Sequence, residues 1–232
     1  MDGTGKLFAG FVKALTGEFE ITIVSYPTDA CRSYSELKES VLSLLPRSDS
    51  YALLAESFSS PLAIQCAADN PVGLKALILC AGFSSPPLSG FSRFFVSLFA
   101  PVASHFKLPA FAARSILIGR NAPESLLSAV QGVVASVRPK VLAARVRGTL
   151  ACDVRKELTQ VGVPILYLRA TEDKLVREQS MEEILRIKPD AKVISIAGPH
   201  LLIQREPRLT AEAVVGYLRQ LEGMSIAPDS EN

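Results

Sequence analysis

The sequence predicts a mostly parallel β-sheet with helices on both faces and one helical insertion. Three observations carry this reading. Residues 51–55, 74–81 and 164–170 are short apolar runs without the polar alternation of a half-solvated strand, so they read as strands buried on both faces. Segments of helical periodicity separate them, which is the alternation a parallel sheet requires. From about residue 84 to residue 158 that rhythm gives way to helical patterns punctuated by proline.

The first helix is marked by Leu7, Phe8, Phe11, Val12 and Leu15 at helical spacing, with Gly17 placed to end it. Residues 19–26, β-branched and aromatic and stopped by Pro27, predict a strand. Ser33 and Glu36 have the spacing of a capping box, after which Tyr34, Leu37, Val41, Leu44 and Leu45 line one helix face. The strand at 51–55 runs directly into Glu56 and Ser57. A helix over 60–68 tolerates Pro61 in its first turn, and the strand at 74–81 follows.

In the insertion, Phe91, Phe94, Phe95, Leu98 and Phe99 mark one helix. A later helix starts near Asn121, with Glu124 in a capping-box position. The α/β rhythm then returns with a strand at 164–170, a helix at 177–187, a strand at 192–197 and a closing helix at 207–221. The expected organisation is a core of residues 1–83 and 159–222, a helical cap over 84–158, and a flexible polar tail over 223–232.

A chain of 232 residues, 48% hydrophobic and 21% charged, can bury a sizeable core. A net charge of +2 without long runs of one sign argues against nucleic acid or an anionic membrane as partner. Cys31, Cys66, Cys80 and Cys152 are widely spaced, which suits reduced thiols better than a disulfide framework. No metal-ligand spacing joins them to His105 or His200, so no metal is expected. A start without an apolar signal region, and no run of about twenty apolar residues, predict a cytoplasmic protein that does not insert stably into membranes.

The chemistry centres on Ser57, between a predicted strand and a predicted helix and flanked two residues away by the small residues Ala55 and Ser59. A serine there often does no more than cap the helix. Two further residues change the reading. Asp173 lies in the loop after the strand at 164–170, and His200 in the loop after the strand at 192–197, both at the carboxyl edge of a parallel sheet. Serine, aspartate and histidine in that order, each at a strand end, form a nucleophile, an orienting acid and a general base. A serine hydroxyl needs such a base to take its proton as it attacks. Glu172 is the nearest rival to Asp173, its alternative role being a solvated surface carboxylate. The backbone N–H of Phe58, at a helix start, suits a developing oxyanion.

Asp2-Gly3-Thr4-Gly5-Lys6-Leu7-Phe8, the turn at Ser57, the Asp173 loop and Gly198-Pro199-His200 together resemble the bacterial α/β-hydrolases. The nearest subgroup is the small carboxylesterases that include pimeloyl carrier-protein methyl ester esterases. The resemblance implies the α/β-hydrolase fold, a cofactor-free serine hydrolase, and a second oxyanion donor at the position of Met1. In such relatives the opening segment reads Pro-Gly-Leu-Asp-Gly-Thr-Gly and follows a central strand. That strand would lie between the 19–26 strand and the 51–55 strand. Either the start of the chain is set too late or part of the sheet is rearranged or lost, and losing that strand would leave two edges unpaired unless they close on each other or pair with another chain.

The Phe91, Phe95 and Phe99 face either lines an acyl pocket or is simply core, and His105 is either a substrate contact or a packed cap residue. Arg138, Lys140, Arg145 and Arg147 make the end of the cap basic. They form either a solvated helix face or a site for an acidic acyl carrier protein. The reaction expected is hydrolysis of a small carboxylic ester, with a thioester as a variant, through an acyl-serine. The rivals are a cofactor-free perhydrolase and a non-catalytic scaffold of the same fold that binds a ligand or partner.

Overall fold

Four of the apolar runs pair into one parallel sheet: β1 (Tyr51–Glu56), β2 (Leu74–Cys80), β3 (Ile165–Ala170) and β4 (Lys192–Ile196), in the order β1-β2-β3-β4. The structure is a computed structural model that describes residues 2–87 and 109–225, the side chains of 224 and 225 excepted. Around the sheet lie α1 (Ala9–Ala14), α2 (Tyr34–Leu42), α3 (Ser60–Ala68), α4 (Glu124–Ala135), α5 (Pro139–Ala151), α6 (Arg155–Gln160), α7 (Glu178–Ile187), α8 (Leu202–Arg205) and α9 (Pro207–Ser225).

The continuous apolar character of the central strands has a direct structural cause. Leu77 and Leu79 of β2 and Ile165 and Tyr167 of β3 face one core, with Ile64 of α3, Leu158 of α6 and Ile184 of α7. Their chain neighbours Ile78, Leu166 and Leu168 face a second core, with Phe11 of α1 and Val214 and Tyr217 of α9. Successive side chains point to opposite faces, and both faces are covered along the middle of these strands, so their polar residues, Lys75 and Arg169, fall near the strand ends. Each fully buried leucine or isoleucine contributes about 2 kcal/mol of transfer free energy.

Local signals decide several boundaries. The Ser33 hydroxyl accepts from the Glu36 N–H while the Glu36 carboxylate accepts from the Ser33 N–H, so the predicted capping box is formed at α2. The box predicted from Asn121 and Glu124 is not. Pro123 occupies the cap of α4, no side chain caps it, and the Glu124 carboxylate pairs with Arg114 instead. The closing helix runs on through Ser225, past the predicted end at 221, and residues 226–232 lie outside the described structure.

The predicted strand at 19–26 is a correction: these residues join no ladder. A strand is defined by a paired neighbour, and among the described residues the one backbone–backbone bond made by this segment is to Gly3, whose C=O accepts from the Tyr26 N–H at 2.7 Å. Its β-branched and aromatic side chains serve packing instead. Ile21 joins the core under α9, while Val24 and Tyr26 pack with Phe58 and Leu62. As a result β1 is the edge of the described sheet, and Tyr51 to Leu54 are only half-buried although all are apolar. A cavity of about 820 Å³ separates β1 from 19–26.

Candidate active site

At the end of β1 the chain turns sharply. Glu56 is still extended, Ser57 has φ 53°, and Ser57–Ser59 form a single 3-10 turn that leads into α3. A serine in the left-handed region costs roughly 1 kcal/mol or more and persists only when its surroundings enforce it. The strain falls on Ser57 itself, whereas Ala55 stays in the strand and Ser59 is helical. Small neighbours make the turn possible. Gly82, at the end of β2, passes so close that a Cβ there would lie 2.7 Å from Ser60 Oγ.

The turn lifts Ser57 Oγ to within 2.8 Å of His200 Nε2. On the other side of the ring, His200 Nδ1 lies 2.8 Å from Asp173 Oδ2. The remaining oxygen of that carboxylate, Oδ1, accepts from the N–H groups of Leu175 at 2.7 Å and Val176 at 3.0 Å. Three donors therefore fix the carboxylate, and the side chains of His200 and Asp173 are only 5% and 4% exposed. An acceptor at Nδ1 makes that nitrogen the protonated one, which leaves Nε2 free to accept from the serine hydroxyl. Glu172 is exposed and directs its N–H to the Gly198 C=O at 2.9 Å, so its part is to hold the two loops together.

Phe58 is buried beneath this site, stacked on Tyr34 at 5.1 Å and edge-on to Tyr26 at 6.1 Å. The Tyr34 hydroxyl donates to the Phe58 C=O, and the Tyr26 hydroxyl to Ser59 Oγ. Desolvation pushes both phenols upward in pKa, so they remain donors at physiological pH. Met1, the predicted second oxyanion donor, lies outside the described residues, as do Phe91, Phe95, Phe99 and His105. The adjoining loop is described. Gly3 and Gly5 have positive φ, and Asp2 accepts from both the N–H and the hydroxyl of Thr4.

Two groups at the site escaped the sequence reading. Arg145, grouped there with a solvated basic face, is 4% exposed, while Arg138, Lys140 and Arg147 are exposed as expected. Its guanidinium donates to the C=O of Asp2 at 2.7 Å and of Pro27 at 2.8 Å, and lies over the rings of Tyr26 and Phe58. The signal was present in the sequence: Val141, Arg145 and Thr149 fall at four-residue spacing, and all three are buried.

The second group is Glu56. Its carboxylate accepts from Gln204 Nε2 at 2.9 Å and from the Ile203 N–H at 3.4 Å, joining the strand that carries Ser57 to the helix that follows His200. Burial pushes this carboxyl above its usual range. Nothing in the periodicity of a strand end marks such a residue. Among the described residues no group of three His, Cys, Asp or Glu could hold a metal ion.

No family model matches the chain, and no curated protein does. Solved structures do match. A hydrolase from Oleispira antarctica aligns with TM-score 0.80 at 11% identity, covering 94% of this chain and 88% of that one. This is the α/β-hydrolase fold. A thermophilic esterase from Thermogutta terrifontis aligns at TM-score 0.77 and 18% identity, with 94% and 86% covered. A bromoperoxidase from Bacillus anthracis does so at 0.78 and 16%, with 93% and 88% covered.

Proposed function

We propose that this α/β-hydrolase-fold chain is a serine hydrolase that cleaves a carboxylic ester, or the corresponding thioester, through an acyl-serine. The observation that carries the reading is the continuous relay from Ser57 through His200 to Asp173, two 2.8 Å contacts ending on a carboxylate saturated by backbone donors. A serine used only as a helix cap needs neither the left-handed backbone nor the imidazole.

In this mechanism His200 Nε2 takes the hydroxyl proton as Ser57 Oγ bonds to the ester carbon. Asp173 stabilises the resulting imidazolium without taking a proton itself. The Phe58 N–H, in the turn that opens α3, donates to the oxyanion. Collapse releases the alcohol with the proton from His200. Water then attacks the acyl-serine, with His200 again as base, and the acid leaves. Every step uses side-chain and backbone groups of this chain, the substrate and water.

The test is hydrolysis of p-nitrophenyl esters of short to medium acyl length by the chain and by Ser57→Ala, with fluorophosphonate labelling of Ser57 in parallel. Turnover and labelling that both vanish in the variant support the reading. A folded chain that neither turns over nor labels is a binding scaffold, and the proposal fails. The structural similarity to a protein named bromoperoxidase favours a second reading, in which hydrogen peroxide accepts the acyl group in place of water. Peracid formation from an ester plus peroxide, lost in the same variant, would distinguish it.

A further inference from the structure

His200 sits between two residues that are gripped from the segment joining β2 to β3. Before it, Pro199 packs on Gly119, where a Cβ would lie 3.5 Å from the proline ring. After it, the Leu201 N–H donates to the Leu117 C=O at 2.9 Å, and the Leu201 side chain packs with the cluster of Ala113, Ile118 and Leu127. α8 then runs for a single turn, and Arg205 at its end donates to the Asn121 C=O at 3.5 Å. A helix of four residues does not hold itself, and Leu201, which leads into it, has no side chain that could cap it. The core holds α8 only beyond the histidine, through buried Leu202 and Ile203 and through Glu56. Residues 117–121 hold both sides of it.

Those residues owe their own shape to Arg114. Ala113–Ile118 forms a turn of π-helix, and Gly119 ends it at φ 84° and ψ 151°, a conformation open essentially to glycine alone. The chain then folds back, with the Ala122 N–H donating to the Gly119 C=O at 3.2 Å. Arg114 reaches across this turn. Its Nη1 donates to the C=O of Arg120 at 3.1 Å and of Ala122 at 2.5 Å, while Nη2 pairs with the Glu124 carboxylate. One planar guanidinium thus fixes three points of the turn that meets Pro199 and Arg205.

We propose that Arg114 is a positioning residue for His200, acting through the turn at 117–122 on the loop that carries the imidazole. The proposal rests on the serine-hydrolase reading for the role of His200 as base. Asp173 fixes the rotation of the ring, whereas this turn fixes the place of its backbone relative to Ser57. A misplacement of about 1 Å between reacting groups can cost about 10²-fold in rate.

The test compares Arg114→Met and Gly119→Ala with Val133→Ala, which removes buried methyl groups from α4 and leaves the Arg114 bonds in place. Arg114→Met keeps the reach of the side chain without its donors. Gly119→Ala forces the turn out of its glycine conformation without touching Arg114, and it serves if the first variant does not fold. With a p-nitrophenyl ester, kcat should fall about 10²-fold in the first two variants while KM stays within about threefold of the parent. Val133→Ala should keep both constants near those of the parent. A second readout does not need turnover: the Nδ1 proton of His200, followed by proton NMR and assigned by its loss in His200→Gln. Its exchange with water should be about tenfold faster or more in Arg114→Met. A parent that hydrolyses no ester overturns the functional reading, and the proton exchange then decides the positioning role by itself. That role is overturned by parent-like kcat and proton exchange in a folded Arg114→Met, or by equal losses in Val133→Ala.

Discussion

His200 Nδ1 and Asp173 Oδ2 are 2.8 Å apart, and the other oxygen of Asp173 is held by two backbone N–H groups. The carboxylate is thus fixed before the imidazole meets it, and one tautomer of the ring is selected. Asp173→Asn keeps the shape but offers an amide that can donate to Nδ1, which favours the wrong tautomer. Turnover of p-nitrophenyl esters should fall about 10⁴-fold. Glu172→Ala, at an exposed position, should leave kcat/KM within about threefold of the parent. A large loss in the second variant with little in the first would reassign the acid.

The backbone at Ser57 leads to a separate expectation about stability. Glycine takes φ 53° without the Cβ penalty, so Ser57→Gly should abolish turnover yet raise stability by about 1 kcal/mol. Urea denaturation of the two proteins reads this directly. A less stable variant would mean that the serine side chain contributes more through its contact with His200 than the turn costs.

The central strands and the meeting of Ser57, Asp173 and His200 were legible in the sequence for physical reasons. Burial of β2 and β3 on both faces leaves unbroken apolar runs, and a parallel sheet collects the loops after its strands at one edge, where Ser57, Asp173 and His200 meet. The segment 19–26 was misread because its composition reports packing against Phe58 and the α9 core, not pairing. Arg145 was hidden among neighbouring cations whose shared charge masked its place on the inner face of α5. Glu124 was assigned to the wrong partner because a cap is a local pattern, whereas Arg114 comes from the preceding turn of chain. Glu56 forms its bonds with residues almost 150 positions away, a link that no local pattern encodes.

Arg145 is buried, and its guanidinium bridges the opening loop to the segment ending at Pro27. Arg145→Leu leaves the Asp2 and Pro27 carbonyls without these donors and should cost about 2–4 kcal/mol by urea denaturation. Arg145→Lys keeps the charge but cannot reach both carbonyls with a planar fork, so it should recover only part of the loss. Full recovery by lysine would mean that charge alone, not the bidentate geometry, holds the loop.

The pH dependence of stability should carry the signature of Glu56. Its folded pKa is raised by burial above the ordinary value of 4.5, so the folded state prefers the protonated carboxyl. The corresponding stability is fully present below pH 4.5 and is lost as pH rises through the elevated folded value. Glu56→Gln keeps an acceptor for Gln204 and for the Ile203 N–H but carries no charge to desolvate. The variant should therefore be more stable than the parent at pH 8, and the difference should shrink as pH falls toward 4. Urea midpoints of both proteins across that range test the sign. A difference that grows on acidification would mean that the ionised carboxylate is the form the fold favours, held by its hydrogen bonds and by the neighbouring His200.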